Sequence, residues 1–224
     1  MVEKNKIITA FQTAGYISTL TVKFLEEKGI VKDIGGIDIE EISQFAVVKD
    51  GNLLSPIRIL EGKGFTVITS QIPLPLKAVN ELSEKVIQIY KDKKADGIIA
   101  LDGLSVDEVK DKSEVYFAST YNEKEIKNCK RLPEGAMMGF NSYFAHKARK
   151  MKIPFIVLMA ETHAEIPDGI AAASLISVLE SLVNIQVDTS ELISEYKKTL
   201  DQINSLLKRV SQAPKDKEEQ NMYV

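Results

Sequence analysis

An unbroken apolar run from Ile153 to Met159, with the sequence IPFIVLM, constrains the fold of this chain most strongly. A short continuous apolar run of this kind is typical of a strand that is buried on both faces. Gly97–Leu101 has the same character and ends at Asp102-Gly103. Strands buried on both faces need helices above and below their sheet. These two segments therefore predict a layered α/β fold.

Predicted strands and helices alternate over the first two thirds of the chain. The predicted strands are Lys6–Phe11, Gln44–Val48, Ile57–Leu60, Phe65–Ser70, Gly97–Leu101, Val115–Ala118 and Ile153–Met159. Four helices are predicted before the C-terminal one. The first lies between Gly15 and Gly29, and the second has an apolar stripe from Val79 to Tyr90. The others cover Asn141–Met151 and Ile170–Val183, with Asp168 as the N-cap of the last. We expect a three-layer α/β core domain at residues 1–187, a C-terminal helix at 188–210 and a flexible tail at 211–224.

The predicted C-terminal helix has a regular apolar stripe in steps of four, four, three, four and three residues. The stripe consists of Leu192, Tyr196, Leu200, Ile203, Leu207 and Val210. This spacing is close to a heptad seam. Two interpretations stay open, since the stripe can pack on its own domain or form a seam between subunits. On the second interpretation the chain is a homo-oligomer, for which a tetramer is one candidate.

Composition excludes several classes of protein. The net charge is −3, from 29 basic and 32 acidic residues, so no basic excess points to nucleic acid. No apolar stretch is long enough to span a bilayer, and no basic amphipathic segment points to a membrane surface. Cys129 is the only cysteine, which excludes an internal disulfide. Because the N-terminus has no signal-peptide layout, we expect a cytoplasmic protein.

Motifs for catalysis and cofactor binding are mostly absent from the sequence. There is no G-x-G-x-x-G or Walker loop, no G-x-S-x-G elbow, and no histidine pair with zinc-ligand spacing. The best acid/base group is Glu161, His163, Glu165 and Asp168, directly after the Ile153–Met159 strand. It could serve a nucleoside-phosphorylase-like or peptidase-like hydrolase. The alternative is a polar loop with an N-capping Asp168. We favour a non-catalytic protein with no cofactor and no metal.

Cys129 has two open interpretations. Lys127, Lys130 and Arg131 lie beside it in the sequence and could lower the pKa of its thiol. The alternative, which we favour because no histidine accompanies it, is an unreactive surface thiol on a charged helix.

The C-terminus has the composition of a tethered peptide ligand. Ser211–Asn221 is too polar to form a core. It ends in Met222-Tyr223-Val224, in which Met222 and the Tyr223 ring can fill an apolar slot and the terminal carboxylate can pair with a lysine or with backbone donors. The alternative is an ordinary frayed terminus.

Three segments of the body carry a family resemblance. They are Gln12-Thr13-Ala14-Gly15, then Leu132-Pro133-Glu134-Gly135 to Met138-Gly139, then Pro167-Asp168 with Ala171-Ala172-Ala173 ahead of Val187–Leu192. In this order they resemble the PAC2 family, the archaeal and bacterial relatives of proteasome assembly chaperones. One departure is the pair Gln12-Thr13, where the family's first loop is often richer in glycine.

The resemblance implies a phosphorylase/hydrolase-like α/β fold without demonstrated catalysis. It is strongest to the archaeal branch, whose members are homo-oligomers with exposed C-terminal tails that engage the proteasome α-ring. On this resemblance Met222, Tyr223 and Val224 form a hydrophobic-Tyr-X motif that docks into α-subunit pockets.

Overall fold

The computed structural model describes residues 5–106, 112–121, 125–163 and 166–212, with side chains described only as far as residue 202 at the C-terminal end. The strands are β1 (Lys6–Ala10), β2 (Val31–Gly36), β3 (Val47–Lys49), β4 (Asn52–Leu54), β5 (Ile57–Gly62), β6 (Phe65–Ser70), β7 (Gly97–Ser105), β8 (Val115–Ser119), β9 (Lys130–Arg131) and β10 (Phe155–Thr162). The helices are α1 (Ile17–Glu27), α2 (Ala78–Asp92), α3 (Gly139–Met151), α4 (Gly169–Val183) and α5 (Ser190–Gln212).

Eight of these strands form one mixed sheet in the order β2-β5-β6-β1-β7-β10-β8-β9. The centre is parallel, because β1 pairs with β6 and β7, and β10 pairs with β7. The pairs β2–β5, β5–β6 and β10–β8 are antiparallel. The apolar run at Ile153–Met159 therefore lies in the interior of the sheet, as its composition predicts.

The two faces of the sheet bury separate hydrophobic cores. Ile8, Leu101 and Leu158 belong to the core that includes residues of α1 and α4. Their alternating neighbours, such as Ile7 and Val157, belong to the core that includes residues of α2 and α3. Since side chains alternate along a strand, helices on both faces give each central strand apolar residues at every position. The predicted three-layer α/β fold is confirmed.

Several strands differ from the sequence prediction, and the short strands β4 and β9 were not predicted. The edge strand β2 was missed because only Val31 is buried in it, and the rest of the strand is exposed. Strand β7 continues past Asp102-Gly103 to Ser105, because β10 pairs with it as far as the partners Ser105 and Thr162. The predicted strand at Gln44–Val48 is only β3, which forms a two-stranded hairpin with β4.

A buried arginine links the end of α1 to the antiparallel edge of the sheet. Arg58 on β5 is 3% exposed and donates two hydrogen bonds to the Glu26 carboxylate, at 2.6 and 3.2 Å, and one to Asp33 at 2.5 Å. Lys49 also pairs with Glu26, at 2.7 Å. Burial alone raises the pKa of Glu26, but the hydrogen bonds from Arg58 and Lys49 outweigh it, so this pKa lies below its ordinary value.

The two C-terminal helices begin largely as predicted. The Asp168 carboxylate accepts hydrogen bonds from the backbone N–H groups of Ile170 and Ala171, so this residue is the N-cap of α4. Asp188 accepts a bond from the Ser190 N–H, and α5 runs from Ser190 to Gln212. In the described part of the chain, no helix is both long and apolar enough to cross a bilayer.

Candidate functional site

The topology places a switch point at β1. After β1 the chain forms β2, β5 and β6, which lie on one side of β1 in the sheet. It then continues through α2 to β7, which lies on the other side of β1. In open α/β sheets, ligands bind in the crevice beyond the carboxyl ends of the strands at such a point. The loops after β1, β7 and β10 are therefore the first place to look for a site.

The loop after β1 packs closely against the strands at this crevice. A β-carbon built on Gly103, near the end of β7, would lie 2.5 Å from the Ala14 carbonyl oxygen. One built on Gly15 would lie 2.2 Å from Thr162 Oγ1, at the end of β10. The Asp168 N–H closes the arrangement by donating to the Gly15 carbonyl at 3.0 Å. Among the described residues, the loop after β1 thus packs closely against the carboxyl-terminal parts of β7 and β10.

Asp102 is a half-buried carboxylate at this edge. Its Oδ1 accepts the Gly103 N–H at 2.8 Å, and its Oδ2 accepts Asn141 Nδ2 at 2.8 Å. Burial raises the pKa of Asp102 and outweighs the lowering by these two hydrogen bonds. Because both oxygens are already engaged, Asp102 anchors the start of α3 to the end of β7.

The predicted acid/base group does not assemble into a catalytic unit. Asp168 is buried, caps α4 and accepts a hydrogen bond from Thr162 Oγ1 at 3.0 Å. Glu161 accepts the Tyr116 hydroxyl at 3.3 Å, and in the part of the chain that the structure describes no hydrogen bond joins it to His163, which is exposed. Glu165 lies outside the described residues.

Tyr116 connects Glu161 to a second carboxylate. Its hydroxyl also lies 2.8 Å from Glu114 Oε2. The hydrogen bond to Glu114 is the largest cause that raises the pKa of Tyr116, which reaches about 12. Among the described residues, no group of three His, Cys, Asp or Glu side chains could hold a metal ion. The loop interpretation of this segment accounts for its contacts.

The expectation of a charged helix at Cys129 is wrong, and so is the lowered thiol pKa. Residues 126–129 form a turn closed by a bridge between Ile126 and Cys129, directly before β9. Cys129 is half-buried and packs against the core that includes α1 and α4. Burial raises the pKa of its thiol to about 12, against a smaller lowering by a hydrogen bond with Lys130. The neighbouring positive charges in the sequence do not offset this desolvation.

The first turns of α5 pack on their own domain. Leu192 is buried in the core with α1 and α4, and a β-carbon on Gly169 of α4 would lie 2.7 Å from the Tyr196 β-carbon. Lys28 at the end of α1 forms an ion pair with Glu191. Leu200 is half-buried. The own-domain interpretation of the stripe therefore holds for its start, where Leu192 is a core residue.

The remaining predicted binding residues lie beyond the described side chains. These are Ile203, Leu207 and Val210 of the α5 stripe and Met222, Tyr223 and Val224 of the tail. A subunit seam and a docking tail thus remain predictions.

An eight-stranded mixed sheet between two helical layers defines a three-layer α/β protein. The sequence model of the PAC2 family matches residues 7–207, and the chain belongs to that family. An uncharacterized protein of Methanocaldococcus jannaschii is 24% identical over 97% of this chain and 92% of its own length.

Two solved structures share the fold over nearly the whole chain. The crystal structure of Pyrococcus furiosus PbaA, an archaeal homolog of proteasome-assembly chaperone, has a TM-score of 0.84 at 24% identity and covers 95% of this chain and 91% of its own. That of Pyrococcus furiosus PbaB, an archaeal proteasome activator, has a TM-score of 0.79 at 14% identity and covers 91% of this chain and 93% of its own. The family and fold predicted from the sequence are confirmed.

Proposed function

We propose that this chain is a non-catalytic proteasome-binding protein, an assembly chaperone or an activator, which docks Met222-Tyr223-Val224 into pockets of the proteasome α-ring. The observation that carries the proposal is its similarity in fold and extent to an archaeal homolog of proteasome-assembly chaperone and to an archaeal proteasome activator. The close packing of the loop after β1 supports the non-catalytic part, because among the described residues it narrows the edge of the sheet at which the alternative hydrolase would bind a substrate.

The chemistry of the last three residues supports the choice of docking element. Tyr223 combines a flat ring with a directed hydroxyl, and the Val224 carboxylate is available for a charge-assisted hydrogen bond. Helix α5 leads into this segment, and its 23 residues give it a length of about 34 Å. The packing of Leu192 and Tyr196 on the domain holds the start of α5, from which the helix leads toward the tail.

Oligomerisation belongs to the same mechanism. A tripeptide buries little surface and should bind weakly by itself. Several tails on one assembly make later binding events intramolecular and raise the avidity by about 10² to 10⁴. We propose that Ile203 and Leu207 form part of the subunit seam.

Light scattering tests the seam. Replacing Ile203 and Leu207 by Asp should shift the measured mass toward the monomer, because a charge in an apolar seam is costly to desolvate. Lys198→Asp is the control, since this residue is exposed on the described part of the same helix. A wild-type mass of one chain would remove the avidity argument.

A binding assay with purified α-rings tests the docking tail. Deletion of Met222-Tyr223-Val224 and the substitution Tyr223→Ala should each abolish retention of α-rings by the immobilised protein. Val224→Ala should be tolerated because its carboxylate remains in place. Equal retention by the deletion variant and the wild type would show that α-ring binding does not use the tail.

A further inference from the structure

An open groove with a volume of about 1060 Å³ lies between α4, the first turns of α5 and the sheet edge at β8 and β9. Its floor is a stripe of α4 that includes Ile170, Ala173, Ser174 and Ser177. From Gly169 to Leu179 the other residues of α4 are buried, whereas Ile170, Ser174 and Ser177 are half-buried. One face of this part of α4 thus opens into the groove.

The walls of the groove carry an excess of positive charge. Among the described residues that line it, the lysines are Lys112 and Lys130 on the sheet side and Lys197 on α5, and Glu114 is the one carboxylate. Glu114 is already bound by Lys130 at 2.7 Å and by the Tyr116 hydroxyl. Lys112 and Lys197 have no ion-pair partner among the residues the structure describes, on a protein whose net charge is −3.

The same surface carries both polar and apolar groups. Ser174, Ser177 and Asn128 supply hydroxyl and amide groups that can bond to a peptide backbone, and Asn128 Nδ2 lies 3.5 Å from Ser177 Oγ. Ile170 and Ile193 supply apolar contacts between them. The volume is at the upper end of the range of small-molecule pockets, which is about 300–1000 Å³. An extended peptide therefore suits the groove better than a compact ligand.

We propose that this groove binds an extended acidic segment of a partner protein, whose carboxylates pair with Lys112 and Lys197 from opposite walls. Charge complementarity selects the occupant, because Glu114, the one carboxylate among the described lining residues, is already paired with Lys130. This chain's own residues 213–224 are a poorer match, since they contain two lysines as well as three acidic residues. The groove would act independently of Met222-Tyr223-Val224 and would give the protein a second point of attachment.

Fluorescence anisotropy of the full chain with a fluorescein-labelled peptide of alternating Glu and Ala tests the proposal. A matched peptide with Gln in place of Glu should bind more weakly by about tenfold or more. The double variant Lys112→Glu/Lys197→Glu should weaken binding of the acidic peptide by about tenfold or more. The control is Lys63→Glu/Lys85→Glu, which changes the net charge equally at exposed positions outside the groove and should have less than about a twofold effect.

Steric filling of the groove provides a second, independent variant. Ser177→Phe should weaken binding of the acidic peptide while it leaves the net charge unchanged. All variants keep Met222-Tyr223-Val224, so retention of α-rings reports on the proposed function separately from this groove. Chemical denaturation of each variant establishes that it is folded before its affinity is compared.

Four results would overturn the proposal. The first is equal affinity for the Glu and Gln peptides, and the second is equal affinity of the Lys112/Lys197 variant and its control for the acidic peptide. The third is tighter binding of a single-stranded RNA of similar length at the same salt concentration. The fourth is peptide binding that appears only when residues 213–224 are deleted. The third result would assign the groove to nucleic acid. The last would assign it to this chain's own C-terminal segment.

Discussion

The substitution Gly15→Ala tests the close packing of the loop after β1 most sharply. Its expected loss of folding free energy has two parts, one from the backbone conformation and one from the added methyl group. The φ angle of Gly15 is +62°, in the left-handed region, which costs an alanine about 1 kcal/mol. The added β-carbon would also lie 2.2 Å from Thr162 Oγ1 and 3.1 Å from the His163 carbonyl oxygen. Forcing a methyl group into a filled space costs about 1–3 kcal/mol. The expected loss in the free energy of unfolding is therefore about 2–4 kcal/mol.

Gly29→Ala is the matched control. Its φ angle is +68°, but no atom lies within 4 Å of the position its β-carbon would occupy. Gly29→Ala should therefore cost only the conformational part, about 1 kcal/mol. Urea denaturation of both variants at the same protein concentration measures the difference.

Relief of the clash provides a further check. In Gly15→Ala/Thr162→Ala the contacting Oγ1 is gone, so the double variant should lose less free energy than the sum of the two single variants. Equal losses of unfolding free energy for Gly15→Ala and Gly29→Ala, or strict additivity in the double variant, would refute the close packing of the loop after β1 against Thr162.

Two further predictions concern the buried arginine and the single cysteine. Arg58→Met should lower the free energy of unfolding by about 2–3 kcal/mol at pH 7, while the exposed Arg149→Met should change it by less than about 0.5 kcal/mol. Because the folded-state pKa of Glu26 is below its ordinary value of 4.5, the stability from this ion pair is present above that pH and is lost as the pH falls through the folded pKa. Denaturation at pH 7 and at about pH 3 should therefore show a smaller difference between wild type and Arg58→Met at the lower pH; an unchanged difference would contradict the role of the pair. Since the pKa of Cys129 is raised to about 12, iodoacetamide should alkylate the folded protein at pH 8 more than about a hundredfold more slowly than the unfolded protein, and similar rates would contradict the burial of the thiol.

The central strands were predictable because their composition is dictated by burial on both faces. Ile153–Met159 and Gly97–Leu101 have no polar position that could face water, so they had to lie in the interior of a sheet. Asp168 was predictable as an N-cap for a local reason, since its carboxylate reaches N–H groups only two and three residues away.

The missed features depend on contacts between distant parts of the chain. Strand β2 exposes most of its residues and forms because β5 offers it an unpaired edge. Gly15 and Thr162 are far apart in sequence, so no local pattern could reveal that one fills the space beside the other. Lysines near Cys129 in the sequence left a lowered thiol pKa open beside the favoured unreactive thiol, and burial of the thiol in the folded chain raises this pKa instead.

The groove was missed for the same reason. Lys112 and Lys197 belong to different elements, and only the packing of α5 against α4 brings them to one surface. On the sequence alone each is one exposed lysine among many.

The most direct test of the proposed function is the affinity of the protein for purified proteasome α-rings after one Gly is added beyond Val224. The extension preserves every side chain of the tail but moves the terminal carboxylate by roughly 3.5 Å, out of hydrogen-bonding reach of its partner. Surface plasmon resonance should show strong binding by the wild type and a loss of about tenfold or more for the Gly-extended protein. Equal affinity of the two proteins would contradict docking through Met222-Tyr223-Val224 and its free carboxylate.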